Sequence, residues 1–409
     1  MPDSQVNRLD KIRSAAEELN AAVADLRSDD PSKAQLEGIV EIAQRIVSAA
    51  RDPADQGLEV FRQISLITAN RLFWEWGVFD EIPREGSISY RDLAARVAAD
   101  VNVLSRIGGV LVSSGVLDLV DSDRLAHTPH SLIFTKGEQA GFVYQMAWDN
   151  GFTSYAQLPR YFEKYGRNEP QTENHVPVTF AAGAPELTYW ELLQQDPPRM
   201  ERFIKAMAPL EASMPITGIY DFATAIAAGQ ANGTSSDRIL FVDVGGGKGH
   251  AIKAIHGETP SLPLTQFVLQ DRPEVIKTVE ELDDPGLRDV KKMAINFHQS
   301  QPIQGALIYF IRRCLHNYSD KAATNILRRL VEAMADDSKV LLQEEIMSSP
   351  PNRTAAMLDL MMLNFGGKQR TLDCWTSVVS AAGLRISGVF RAKEAWSSLG
   401  VIECVKAGN

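Results

Sequence analysis

The sequence predicts an α/β chain whose C-terminal part forms a doubly wound, mostly parallel sheet, preceded by a helical region. Three observations carry this. From Arg238 onward short apolar runs alternate with amphipathic ones, the pattern of strands joined by crossover helices. The first of these runs, Ile239-Leu-Phe-Val-Asp-Val244, leads straight into Gly245-Gly-Gly-Lys-Gly249. A buried strand ending in a glycine turn is where open α/β sheets bind nucleotide-like ligands. Residues 5–27 instead place Val6, Leu9, Ile12, Ala16, Leu19, Val23 and Leu26 at three- and four-residue spacing, one apolar stripe on a helix.

A second helix is expected at 34–51, after the break Asp29-Asp-Pro31, and a third from Gly57 to Trp76. Ser87–Leu119 reads as two helices around Asp100, with Ser89 and Asp100 as N-caps. The segments Gly115–Val120 and Arg124–Thr128 flank Asp121-Ser-Asp123 and predict a hairpin. Helix, helix, hairpin is a winged-helix order. Its second helix, from Asn102, carries Arg106 as its only basic residue, too little charge for the phosphate contacts that dominate DNA affinity.

Between residues 140 and 235 the aromatics Trp148, Phe152, Tyr155, Tyr189 and Trp190 accompany Met146, Met207 and Met214. Each suits an ordinary core; as a set before the glycine strand, some are expected to line an apolar small-molecule pocket. Strands are then expected at 239–244, 265–270, 290–294, 305–311, 339–345, 384–391 and 399–405. Helices are expected at 248–257, 272–281, 319–335, 352–365 and 371–382. A length of 409 residues suits two domains, placed at 1–185 and 186–409.

A net charge of −10 argues against a nucleic-acid surface and for small-molecule partners. No apolar run is long enough to span a membrane, and the N-terminus lacks a basic-then-apolar signal pattern. A cytoplasmic protein is expected. Cys314, Cys374 and Cys404 are scattered without metal-ligand spacing, so neither a structural zinc nor a metal centre is expected.

The glycines let the loop turn sharply and expose bare peptide groups to a ligand. About twenty residues past the last glycine, Gln266-Phe-Val-Leu-Gln-Asp271 forms a second strand tipped by an acid. A carboxylate there accepts two hydrogen bonds side by side, which suits a ribose diol. His250 replaces the third glycine of a dinucleotide fingerprint, and Lys248 is followed by Gly249 rather than by Ser or Thr. Both phosphate-binding readings are weakened; a nucleoside with an amino-acid tail fits better.

The runs Val242-Asp-Val-Gly-Gly-Gly-Lys-Gly249, Asp271-Arg-Pro-Glu-Val-Ile276 and Tyr309-Phe-Ile-Arg-Arg-Cys-Leu-His-Asn-Tyr-Ser-Asp320 resemble the S-adenosylmethionine-dependent O-methyltransferases of plant caffeate and flavonoid type and their fungal relatives. The resemblance extends from about Leu58 to the C-terminus. It implies a Rossmann-like catalytic domain after a helical, winged-helix domain that dimerises and covers the substrate. By the same resemblance Asp243, Gly245 and Gly247 surround the methionine part of the cofactor, Asp271 beside Arg272 holds the ribose, and Asn296 and Phe297 meet adenine. Arg312 and Arg313 border that site. His316 is the expected general base, oriented by Glu344.

The family's pattern is broken at two acids. Asn317 stands where an aspartate is usual, and Gly366-Gly-Lys-Gln-Arg-Thr371 carries Gln369 where the family has a second glutamate. A glutamine orients a ring but adds no negative charge. A second activity therefore stands beside methyl transfer, because some fungal relatives keep S-adenosylmethionine bound and run dehydration and pericyclic closure. Arg313, His316, Lys368 or His130 would then polarise the substrate carbonyl.

Overall fold

The structure, a computed structural model, describes residues 2–26, 31–212, 214–231, 237–392 and 398–408. By compactness the chain divides at 138/139, earlier than the 185/186 boundary expected from sequence. Residues 139–185 go with the C-terminal unit because buried polar groups tie them there. Ser154 Oγ donates to Asn364 Oδ1 (2.9 Å), and Asn364 Nδ2 donates to the Asn150 carbonyl (3.0 Å).

In the first unit, helices Pro2–Ala24 and Lys33–Ala50 pack together, with Arg8 Nε donating to the Ala49 carbonyl (2.6 Å). Of the expected stripe, Ile12, Ala16 and Leu19 are half-buried, while Leu9 and Val23 stay exposed. The side chain of Val6, and Asp29 and Asp30, lie outside the described residues. Helix Gln56–Glu75 follows. Both expected caps form: Ser89 Oγ accepts from Asp92 N (3.1 Å) ahead of Tyr90–Arg96, and Asp100 Oδ1 accepts from Asn102 N (2.9 Å) and Val103 N (3.0 Å) ahead of Val101–Ser113. Asp100→Ala orphans two backbone donors and is expected to cost about 1 kcal/mol, read as a lowered urea midpoint with unchanged slope.

The hairpin is wider than expected. A short strand, β1 (Ile88–Ser89), joins β2 (Leu117–Val120) and β3 (Arg124–His127) in the order β1-β3-β2. Two residues are too few to leave a periodic signal in the sequence.

The second unit is built on β4 (Phe241–Val244), β5 (Phe267–Asp271), β6 (Lys291–Ala294), β7 (Ile308–Arg312), β8 (Lys339–Met347), β9 (Arg370–Thr371), β10 (Leu384–Arg391) and β11 (Leu399–Lys406). Their order is β10-β11-β8-β7-β4-β5-β6, with β9 beside β8. The strands from β8 to β6 run parallel, and β10 and β11 are antiparallel. Every strand expected here is present, and the five expected helices fall at His250–Glu258, Pro273–Leu282, Asp320–Ala333, Arg353–Asn364 and Leu372–Ala381. Strand β7 starts three residues late because Gly305 turns at φ +65°.

Burial explains the continuous apolar runs. Phe241, Phe267 and Phe310 stack on one face of the sheet, with Phe241 5.3 and 5.5 Å from the other two rings. Tyr309, Leu342, Trp375 and Ile402 fill the other face. A parallel sheet covered on both faces needs apolar residues at consecutive positions. The chain runs outward from β4 to β6 and then returns to β7 on β4's other side. That reversal opens a crevice at the strands' carboxyl ends.

Candidate active site

The carboxyl ends of β4, β5, β7 and β8 carry Asp243, Asp271, Arg312 and Glu344. The sheet order thus brings together acids and bases far apart in sequence. After β4 the backbone turns through Gly245, Gly247 and Gly249, all at positive φ (+71°, +57° and +72°), where side chains other than glycine's are strained. Gly246 has a different reason. A Cβ there would lie 2.4 Å from the Asp243 carboxylate and 2.6 Å from Leu269.

Asp243 is buried, and its Oδ2 has no hydrogen-bond partner. Burial, with Asp271 adding to it and Arg312 opposing, pushes its pKa up to about 7. Asp271 Oδ2 accepts from Gly247 N (2.8 Å) and Oδ1 from Arg272 N (2.7 Å), so the second acid is locked to the glycine turn. Burial raises its pKa despite those two donors. Beyond β6, Asn296 Oδ1 accepts from His298 N (3.0 Å). Phe297 lies against His298 (4.8 Å) and Tyr318 (5.9 Å) and faces Gly245. Arg312 Nη2 donates to the Met214 carbonyl (3.1 Å).

These features fit the expected nucleoside with an amino-acid tail. Asp243 Oδ2 is a buried acceptor waiting for a donor such as an ammonium group. Asp271 keeps lone pairs for a diol, and the Phe297 ring offers a flat face. Among the described residues no cluster of His, Cys, Asp and Glu suits a metal ion.

His316 sits in the 3-10 turn Leu315–Asn317 just after β7. Glu344 serves that turn twice. Its Oε1 accepts from Cys314 N and Leu315 N, both at 2.9 Å, and its Oε2 stands 3.3 Å from His316 Nδ1, without hydrogen-bond alignment. Burial first, then Arg313 and Arg370, lowers the His316 pKa to about 3; burial raises that of Glu344 to about 7. The imidazole is therefore neutral, and its surroundings oppose its protonation. Arg313, at φ +48°, is held in a strained conformation, and its Nε is buried without a partner.

Sequence reasoning placed Lys368 and Gln369 as site groups. Lys368 Nζ is engaged by Glu169 (3.0 Å) and Asp320 (3.3 Å), while its backbone N–H donates to the His316 carbonyl (2.8 Å). Gln369 makes no hydrogen bond to His316; its N–H donates to Asp359 Oδ1 (2.8 Å) and its buried Oε1 has no partner. His130 belongs to the first unit, on the short helix Pro129–Leu132, where its N–H donates to Thr128 Oγ1 (3.1 Å).

Two residues that sequence reasoning passed over are Gly367 and Arg370. A Cβ on Gly367 would meet the His316 carbonyl oxygen at 2.1 Å and Asn317 backbone atoms at 2.9 Å. The obstructing atoms are backbone, which cannot swing aside as a side chain would. Gly367→Ala is expected to destabilise the fold by about 2–3 kcal/mol and to lower kcat about 10²-fold by displacing the His316 turn, read by thermal melts and turnover. The glycine doublet was visible as a signal, but its partner across the sheet was not.

A family model for the O-methyltransferase domain matches residues 170–385. The methyltransferase cfoD of Aspergillus candidus is 38% identical over 377 residues, which cover 90% of this chain and 92% of that protein. In structure the chain is similar to OxaC in complex with sinefungin and meleagrin, with a TM-score of 0.82, 22% identity and 97% and 99% of the two chains covered. It is also similar to LepI in complex with SAM, with a TM-score of 0.76, 20% identity and 96% and 99% covered. The two structural likenesses establish the fold, and with the sequence matches they lead to one conclusion: the chain belongs to the O-methyltransferase domain family, as an S-adenosylmethionine-dependent enzyme of methyltransferase type.

Proposed function

We propose that this enzyme methylates a hydroxyl of a small polyketide or phenolic secondary metabolite, with His316 as general base. The observation that carries the reading is the buried, neutral imidazole 3.3 Å from the carboxylate of Glu344. Asp243, Gly245 and Gly247 would hold the amino-acid end of the cofactor, Asp271 with Arg272 the ribose, Asn296 and Phe297 the adenine, and Arg312 would balance Asp243. When bound, S-adenosylmethionine supplies a methyl group made electrophilic by its sulfonium. His316 Nε2 takes the proton of the acceptor hydroxyl, which raises the nucleophilicity of the oxygen. Glu344 Oε2 faces Nδ1 and stabilises the imidazolium that results. Gln369 adds no charge, so Glu344 acts alone in that role.

A second reading is favoured by the two cations that bear on His316, Arg313 and Arg370, and by the missing second acid. In it the cofactor is retained and the pocket runs dehydration and pericyclic closure. Incubation with methyl-labelled cofactor and a panel of phenols and enols separates the two. Label in the product with equal S-adenosylhomocysteine supports methyl transfer; a product of unchanged or dehydrated mass with the label left in the cofactor supports the pericyclic reading and sinks the first.

The N-terminal unit is read as a winged-helix-type dimerisation module, in a cytoplasmic protein. Support comes from its helix, helix, hairpin order and from exposed Leu36, Val40, Val47, Leu58, Phe61 and Ile64, a set that a second copy would bury. Light scattering should give twice the chain mass. A monomer at micromolar concentration contradicts the dimer.

A further inference from the structure

We propose that Arg370 is a positioning residue for His316, clamping the turn that carries the imidazole and setting the charge around it. This rests on the reading of His316 as the base. Arg370 is fully buried, an unusual place for a guanidinium, and each of its three nitrogens is occupied. Nε donates to Asp320 Oδ1 (2.7 Å), Nη1 to the Leu315 carbonyl (3.0 Å) and the Lys368 carbonyl (3.3 Å), and Nη2 to the Tyr318 carbonyl (2.7 Å). Its guanidinium carbon lies over the Trp375 ring, 4.9 Å from the centroid.

The partners define the role. Leu315 and Tyr318 bracket His316 in sequence, so one rigid fork grips the turn on both sides of the imidazole. A carbonyl grip from one side and Glu344 Oε1 on Cys314 N and Leu315 N from the other leave the turn little freedom. The fork shape is needed: a lysine has one nitrogen and cannot reach three carbonyls and a carboxylate in one plane. The segment leading into β9 supplies the rest of the hold, because Lys368 N–H donates to the His316 carbonyl and Gly367 packs on it.

Charge is the second half. Facing His316 and its turn are Glu344 from β8, Arg313 after β7 and Arg370 from β9. Asp320 at the start of helix Asp320–Ala333 pairs with Arg370 and with Lys368, which Glu169 also engages; Asp359 takes the Gln369 N–H. With Gln369 in place of an acid, the positive charge of Arg370 opposes protonation of the imidazole.

The test uses the full chain carrying labelled histidine, with the His316 signal assigned by its loss in His316→Ala. Arg370→Gln removes fork and charge. It is expected to raise the midpoint at which His316 titrates by NMR, to move the Glu344 limb of kcat to higher pH because Arg370 also lowers that carboxyl's pKa, and to lower kcat about 10²-fold with KM within about twofold. Arg370→Lys keeps the charge and loses the fork; kcat falls about 10-fold while the titration stays where it is. Asp320→Asn, at a half-exposed position that tolerates exchange, removes only the carboxylate anchor and is expected to lower kcat severalfold with KM unchanged. Variants that lose thermal stability but keep the titration midpoint and kcat reduce Arg370 to a structural brace and overturn the proposal. A titration midpoint that moves while kcat stays unchanged upholds the charge effect and instead removes His316 from the base role.

Discussion

His316→Ala is expected to lower the rate of methyl transfer by about 10²–10⁴ while leaving cofactor affinity unchanged. The substitution removes the only imidazole of the second unit's reactive turn and leaves the Asp243–Asp271 end untouched. The pH dependence follows from the neighbours. Burial holds the imidazole neutral down to about pH 3, so the ligand-free base contributes no limb near neutrality. Glu344 is raised to about 7 by burial. Its ionised form, present above that pH, is the one that stabilises an imidazolium, so the rate should climb as pH rises through about 7. Glu344→Gln should flatten that limb and lower its plateau. A wild-type profile already flat from pH 5 to 8 argues that Glu344 is charged throughout or plays no part.

Asp243→Asn carries the second large effect, with opposite signs for stability and binding. The native carboxyl titrates at about 7, against the ordinary 3.8, because burial opposes its charge. Between those values the folded chain binds more protons than the unfolded one, so this group's contribution to stability is present at low pH and is lost as pH rises through about 7. Above pH 7 the ligand-free protein holds a buried carboxylate whose Oδ2 lacks a donor. An amide removes that charge, so Tm of the ligand-free variant at pH 8 should rise by about 2 °C or more, with little change at pH 5. In the proposed site the same exchange would remove the charged acceptor for the cofactor's ammonium group and should weaken binding roughly 10–10²-fold. Thermal shift and calorimetry with and without S-adenosylmethionine check both. Unchanged affinity would remove Asp243 from the cofactor's amino-acid end. Stability traded for function at one residue is the expected mark of a binding site.

Much of the second unit was legible because its signals are local. Each strand is a short apolar run, each helix an amphipathic one, and the glycine turn lies within one motif; all seven expected strands are present. The caps at Ser89 and Asp100 were equally readable, since a cap is set by residues two or three positions away. What escaped is what arises only across the sheet. β9 is two residues long, and its importance comes from pairing with β8 and gripping the turn after β7. Gly367 and Arg370 act on residues fifty or more positions earlier. Gln369 was placed by its position in a motif; in the structure its backbone N–H donates to Asp359 and its buried side-chain oxygen has no partner. Lys368 was expected among the substrate-facing donors, yet two carboxylates engage it. The domain boundary moved for the same reason: Asn150 and Ser154 find their partner at Asn364, on a helix two hundred residues on.

The most direct test of the account is a crystal structure with S-adenosylhomocysteine and a hydroxylated acceptor bound. The predicted result is an acceptor oxygen about 3 Å from His316 Nε2, with Glu344 still at Nδ1 and the homocysteine sulfur facing that oxygen. An acceptor whose oxygen is met by Arg313 instead, with His316 Nε2 against protein and no hydroxyl in line with the sulfur, would contradict it.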